Sequence, residues 1–194
     1  MAAKKESSLK NMLLTLVVVT GFASLALGGV YVLTKERIDE ARAQKLKDAI
    51  SMVLPAFENL EAHSVMPETG KDSLRFYVAK NGDDIVGTAV ETYTDEGFSG
   101  RFTVMVGFLP DGTINDATVL GHKETPGLGD KMDKKKNPGF TEQFKQKNPQ
   151  TYSVKVKKDG GDVDAITAAT ISSRGFCDAV NRAYNAFMKE GGQQ

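Results

Sequence analysis

The chain has no tryptophan, one cysteine and two histidines among its 194 residues. A lone Cys177 excludes an intramolecular disulfide and leaves no cysteine framework for a zinc or iron–sulfur site. It follows Phe176 in an apolar helical pattern, where a small buried residue is expected rather than a nucleophile. His63 and His122 stand far apart with no helical spacing between them. They make no metal-ligand pair and are expected to be structural or solvated. Net charge is also missing: 25 Lys and Arg balance 25 Asp and Glu, which argues against a nucleic-acid partner. The absence with the largest consequence is local, for no Asp, Glu, Lys, Arg or His occurs from Asn11 to Thr34.

Within that uncharged stretch the run Met12 to Leu33, as a helix, is roughly 33 Å long. A hydrocarbon layer of about 30 Å can be crossed by it. Tyr31 sits near one end, as interfacial aromatics do. A cleaved signal peptide is the competing reading, with the small residues around Ala23 to Gly28 as its cleavage site. Because the apolar run continues to Leu33, a retained transmembrane helix at 11–34 is favoured, behind an N-terminal flank at 1–10. Lys4, Lys5 and Lys10 make that flank basic, but the other flank also carries Lys35, Arg37 and Arg42 among acidic residues. The count of basic residues therefore does not decide orientation. Residues 35–55 read as an amphipathic juxtamembrane helix. Its apolar positions are Ile38, Ala41, Leu46, Ala49, Ile50 and Val53, and Pro55 ends it.

The remainder alternates between strand signals and turns. Residues 56–72 look irregular. Strands are expected at Leu74–Lys80, Ile85–Tyr93, Phe102–Leu109 and Ile114–Leu120. Asn81-Gly82 and Pro110-Asp-Gly112 are the turn signals between them, which makes an antiparallel meander. A helix around Phe140 to Lys147 and a strand at Tyr152–Lys157 are expected next. In the last helix Phe176, Val180, Ala183, Tyr184 and Phe187 share one face. The fold class is α+β: one N-terminal transmembrane helix, then a domain with an antiparallel sheet and flanking helices.

Two stretches could carry chemistry. Asp164-Ala-Ile-Thr-Ala-Ala-Thr-Ile-Ser-Ser173 is small and hydroxyl-rich, and it places Thr170 at a helix N-terminus. Unpaired backbone N–H groups and the helix dipole there suit a phosphate. The commoner role for Ser or Thr in that place is a helix N-cap. The second stretch is Glu124-Thr-Pro-Gly-Leu-Gly129. Pro126 fixes φ, and the two glycines permit unusual dihedrals and close ligand approach, unless the loop is a plain turn. The charged run Asp130 to Lys136 is expected to be solvated.

Together these stretches resemble a known family. Its pattern D-x-x-(S or T)-G-A-T-x-(S or T) is matched by Asp164, Thr167, Ala169, Thr170 and Ser172, with Ala168 standing where the family usually has Gly. Residues 124–129 look like its E-T-P-G-L-G motif. The family is the FMN-binding domain of ion-pumping respiratory complexes, including the G subunit of Rnf-type ion-translocating oxidoreductases and the C subunit of the sodium-pumping NADH:quinone reductase. The resemblance implies an FMN-binding domain at 56–194, with FMN attached by a phosphoester to Thr170. Glu124, Thr125, Gly127, Leu128, Gly129, Thr167, Ala168 and Ala169 would be the other cofactor-binding residues. It further implies electron relay between ferredoxin and NAD coupled to ion transport. The implied partners are the other complex subunits, membrane lipid and a separate flavin transferase. The implied location is the bacterial inner membrane, with the domain on the periplasmic side. The C-type quinone-reductase subunit and a flavin-free structural subunit are the alternatives.

Overall fold

The computed structural model describes residues 8–191, so Lys4, Lys5 and Glu6 of the expected N-terminal flank lie outside the described residues. The stretches expected at 11–34 and 35–55 form one continuous helix, α1 (Leu9–Val53). Its apolar residues from Leu13 to Leu33 are exposed, and it is long and apolar enough to cross a membrane. The threonine hydroxyls of the 11–34 stretch bond within the helix. Thr15 and Thr20 donate to the carbonyls of Asn11 and Leu16 at 2.7 Å, and Thr34 to that of Val30 at 2.8 Å. Such back-bonding leaves few polar groups facing lipid.

The chain divides into two compact units between Gln44 and Lys45. The second opens with the end of α1 and continues as a five-stranded antiparallel sheet in sequential order. Its strands are β1 (Asn59–Val65), β2 (Leu74–Asn81), β3 (Asp84–Thr94), β4 (Phe102–Phe108) and β5 (Ile114–Gly121). Alternation along the strands builds two cores. On one face Ala49, Ile50 and Val53 of α1 bury against Tyr77, Ala79, Ala89 and Met105. The Val53 carbonyl, unpaired at the helix end, accepts the Asn115 side-chain amide at 2.8 Å. On the other face Phe76, Val90, Val104, Val106 and Phe108 bury against Phe176, Val180, Ala183 and Phe187 of the last helix, α3 (Thr170–Glu190). Truncating a ring such as Phe176 to Ala would cost about 3–5 kcal/mol.

Three expectations need correction. β1 lies inside the stretch expected to be irregular. Six of its seven residues are exposed, so no burial pattern marks it, and its register comes from pairing Asn59–Val65 with Leu74–Lys80. The expected strand at Tyr152–Lys157 is reduced to one bridge, Val156 with Val163. The Lys157 N–H bonds the Val163 carbonyl and the Val163 N–H bonds the Lys155 carbonyl, which closes the segment on itself. The helix expected around 140–147 is α2 (Pro138–Glu142), followed by turns. Its continuation is drawn toward β5, where the Ile114 N–H donates to the Lys147 carbonyl at 2.8 Å.

Candidate functional site

β5 delivers the chain to a turn, Thr125–Leu128, closed by the Leu128 N–H on the Thr125 carbonyl at 3.2 Å. Pro126 occupies its second position and Gly127 its third, at φ +79°. That is a type II arrangement, in which the third residue must be left-handed. A second turn, Ile166–Ala169, is closed by the Ala169 N–H on the Ile166 carbonyl at 2.9 Å. Its third residue is Ala168 at φ +61°. A left-handed alanine costs roughly 1–2 kcal/mol. The turn is held by Ser173, whose buried hydroxyl accepts the Ile166 N–H at 2.9 Å and donates to the Ala169 carbonyl at 3.0 Å.

Thr170 is the first residue of α3, not its cap. The capping position is Ala169, with no side-chain bond, so the N-cap expectation is overturned. Among the described residues the Thr170 hydroxyl has no hydrogen-bond partner. The amides of Thr170, Ile171 and Ser172 precede the first intrahelical bond, from Ser173 N–H to the Ala169 carbonyl at 3.0 Å. They form the donor-rich helix start that an anion favours.

Both turns line one cavity of about 290 Å³. Glu124, Thr125, Leu128 and Gly129 form one wall, Ala168 to Ser172 the other, and Phe98 a third side. Three apolar side chains there are exposed: Phe98 at 67%, Ile171 at 47% and Leu128 at 41%. Glu124 is buried. Its Oε2 accepts the Ser172 hydroxyl at 2.7 Å and its Oε1 the Ser99 N–H at 3.0 Å. A Cβ at Gly129 would overlap both the Glu124 carboxylate and the Ser172 hydroxyl, so any larger residue must push that pair aside.

Of the sequence-derived site residues, Glu124, Thr125, Leu128, Gly129, Ala168, Ala169 and Thr170 come together at this cavity, and Gly127 belongs to its first turn. Thr167 does not. It faces a separate polar cavity of about 500 Å³ with Lys131, Lys136, Gln143 and Asp164. Nothing in the sequence marks Phe98 and Ser99, because Gly97 and Gly100 register only as breaks between strands. The run 130–136 is only partly solvated. Asp130 is buried, and its Oδ2 lies 2.5 Å from the Lys136 ammonium, which holds its carboxyl below the usual range. Lys134 likewise reaches the buried Asp116 at 2.5 Å. Cys177 is buried, and burial pushes its thiol up to about 12, which fits an inert core residue. His63 stacks on Phe76, and His122 Nδ1 accepts the Glu124 N–H at 3.2 Å.

Residues 97–185 match the model of the FMN-binding domain family. The G subunit of the ion-translocating oxidoreductase complex of Escherichia coli K12 is 37% identical over 159 residues, covering 78% of this chain and 77% of that protein. The corresponding G subunit of Pseudoalteromonas atlantica is 33% identical over 176 residues, covering 84% and 79%. The crystal structure of Shewanella oneidensis NqrC is similar at 21% identity and a TM-score of 0.49, covering 71% of this chain and 70% of that one. The donor set at the cavity fits FMN. A free hydroxyl and helix-start amides suit its phosphate, and the exposed Phe98, Leu128 and Ile171 offer apolar surface to its ring.

Proposed function

The chain belongs to the family of G subunits of ion-translocating oxidoreductase complexes, and from that membership we propose that Thr170 carries FMN through a phosphoester bond. The chain thereby serves as a membrane-anchored electron-transfer subunit. One observation carries the site: Thr170, whose hydroxyl has no hydrogen-bond partner among the described residues, lines the cavity as the first residue of α3. When bound, FMN supplies one- and two-electron redox chemistry. The protein binds, orients and shields.

Backbone amides of Thr170 to Ser172 would hold the phosphate. Phe98, Leu128 and Ile171 would offer apolar surface to the ring, and Glu124, Thr125, Gly129, Ala168 and Ala169 would complete the walls. Thr167, though it faces the neighbouring cavity, shapes the turn before Thr170. Attachment needs a flavin transferase and FAD. The Thr170 oxygen bonds to the flavin-side phosphorus, and the bond from that phosphorus to the bridging oxygen breaks. AMP leaves with the electron pair, and the hydroxyl proton passes to a base of the transferase. No oxidation occurs in this step. A tether keeps a cofactor at roughly millimolar effective concentration on the extracytoplasmic side, where free FMN would be lost by dilution. α1 anchors the chain in the inner membrane with the domain on that side. In this reading the bound FMN would supply electron relay to neighbouring subunits of the complex, between ferredoxin and NAD and coupled to ion movement.

Ala168 bears on the flavin-free alternative. It keeps the left-handed conformation that glycine would adopt, so the departure from the family pattern leaves the turn in place. The test is intact mass after co-expression with a flavin transferase. The wild-type chain gains one FMN, and Thr170→Val, which keeps the shape but removes the nucleophile, gains none. FMN mapped to Thr167, Ser172 or Ser173 would overturn the site.

A further inference from the structure

Glu124 is a buried carboxylate with no cationic partner among the described residues. It faces one hydroxyl and one amide instead, at 2.7 Å from Ser172 and 3.0 Å from Ser99. These two bonds join three segments distant in sequence: the 97–100 turn, the 124–129 loop and the start of α3. Gly129 packs against the Glu124–Ser172 bond so closely that even a methyl group would displace it. Ser172 lies two residues beyond Thr170, on the first turn of the same helix.

We infer that Glu124 is a positioning residue, whose carboxylate clamps the start of α3 to the other two cavity walls and so holds the Thr170 hydroxyl in place for phosphoester formation. This rests on the reading of Thr170 as the attachment site. The need for a clamp is physical. The first turn of a helix lacks intrahelical partners for its amides and opens readily. The turn that precedes α3 is moreover strained at Ala168. A nucleophile displaced by about 1 Å can lose on the order of a hundredfold in rate.

Glutamine separates the clamp from the charge. Its side-chain oxygen can accept the Ser99 N–H and its amide can donate to the Ser172 oxygen, so both links persist without a carboxylate.

The experiment uses the detergent-solubilised, unflavinylated full chain with FAD and a flavin transferase, followed by mass gain over time. Glu124→Ala and Ser172→Ala are expected to slow attachment about tenfold or more. Glu124→Gln restores most of the rate lost in Glu124→Ala. Val90→Ala truncates the core of β3 and removes no clamp bond. It lowers the melting temperature yet loads at the wild-type rate. Wild-type loading by both Glu124→Ala and Ser172→Ala overturns the proposal. So does a Glu124→Gln as slow as Glu124→Ala, which would assign the effect to charge. Equal slowing in Val90→Ala would assign it to general stability and overturn it as well. Amide hydrogen exchange at Ser173 and Arg174, the first amides bonded within α3, reads the clamp without flavin in the unflavinylated chain. Exchange accelerates in Glu124→Ala and Ser172→Ala and stays slow in Glu124→Gln. Unchanged exchange in the alanine variants overturns the clamp even if Thr170 carries FMN. FMN on Thr170→Val overturns the attachment site and leaves the exchange result standing.

Discussion

The two turns that wall the cavity share a geometry and differ in how they are held. Thr125–Leu128 and Ile166–Ala169 are each closed by one hydrogen bond around a left-handed third residue. In the first turn that residue is Gly127, with open space where a Cβ would stand, so glycine is needed for its dihedral alone. In the second it is Ala168, and the strain of a left-handed alanine is met by a brace. The Ser173 hydroxyl ties the Ile166 amide and the Ala169 carbonyl together from below. Among the described residues no hydroxyl bridges the ends of the first turn; its second link is a 3.5 Å contact from the Asp130 N–H to the Thr125 carbonyl, beside the Asp130 carboxylate that faces the Gly127 amide. A strained residue persists where its surroundings over-determine it. The second turn can therefore do without glycine, and the first cannot.

Removing the brace should produce the largest effect. Ser173→Ala leaves the buried Ile166 amide without its acceptor and frees the strained alanine. A loss of about 2–3 kcal/mol is expected, seen as a melting temperature lower by several degrees. A loss below about 0.5 kcal/mol would show that the brace does not hold the turn. Gly127→Ala comes next, because it gives the first turn the residue of the second without its brace. It should cost about 1 kcal/mol and shift the absorbance of bound flavin. A neutral Gly127→Ala would erase the distinction between the turns. Ala168→Gly relieves the left-handed strain but adds chain entropy to the unfolded state. A net gain below about 1 kcal/mol is expected, with FMN attachment at least as fast as in the wild type.

Much of this was legible in the sequence for reasons the structure makes plain. The strand segments of β2 to β5 announce themselves through apolar residues and through turns at Asn81-Gly82 and Pro110-Gly112, because local chemistry and burial agree there. β1 was invisible because an exposed edge strand needs no apolar alternation; only its partner specifies it. The segment 152–157 failed in the opposite sense. Tyr152, Val154 and Val156 carry strand preference, yet the chain turns back at Gly160 and Val163 supplies a nearer partner. At the site, Thr170 and the 124–129 loop could be found from spacing and resemblance. The juxtaposition of Glu124, Ser99 and Ser172 could not, because it spans 73 positions from Ser99 to Ser172 (172 − 99) and joins residue types that recur throughout the chain.

The smallest expected effect concerns the ion pairs that flank the turns. Asp130 follows the first turn and meets Lys136; Asp159 meets Arg174 on α3, both bonds at 2.7 Å. The Lys136 ammonium holds the Asp130 carboxyl below its ordinary range, and the Arg174 guanidinium does the same for Asp159. A carboxyl lowered in the folded state contributes stability above its unfolded value, near pH 3.9. That stability is lost as pH falls through the lower folded value. The two pairs differ in exposure, since the Asp130 side chain is 4% accessible and that of Asp159 is 39%. Salt should screen the second pair and spare most of the first. Acid melting curves of Asp130→Asn and Asp159→Asn, at low and high salt, check this. Asp159→Asn should remove a salt-sensitive part of the acid transition. Asp130→Asn should remove a part that salt leaves alone, and it should loosen the Thr125–Leu128 turn, read as faster exchange of the Leu128 amide. If Asp130→Asn responds to salt as Asp159→Asn does, the ion pair behind the first turn is a surface pair, and the glycine turn has no electrostatic support of its own.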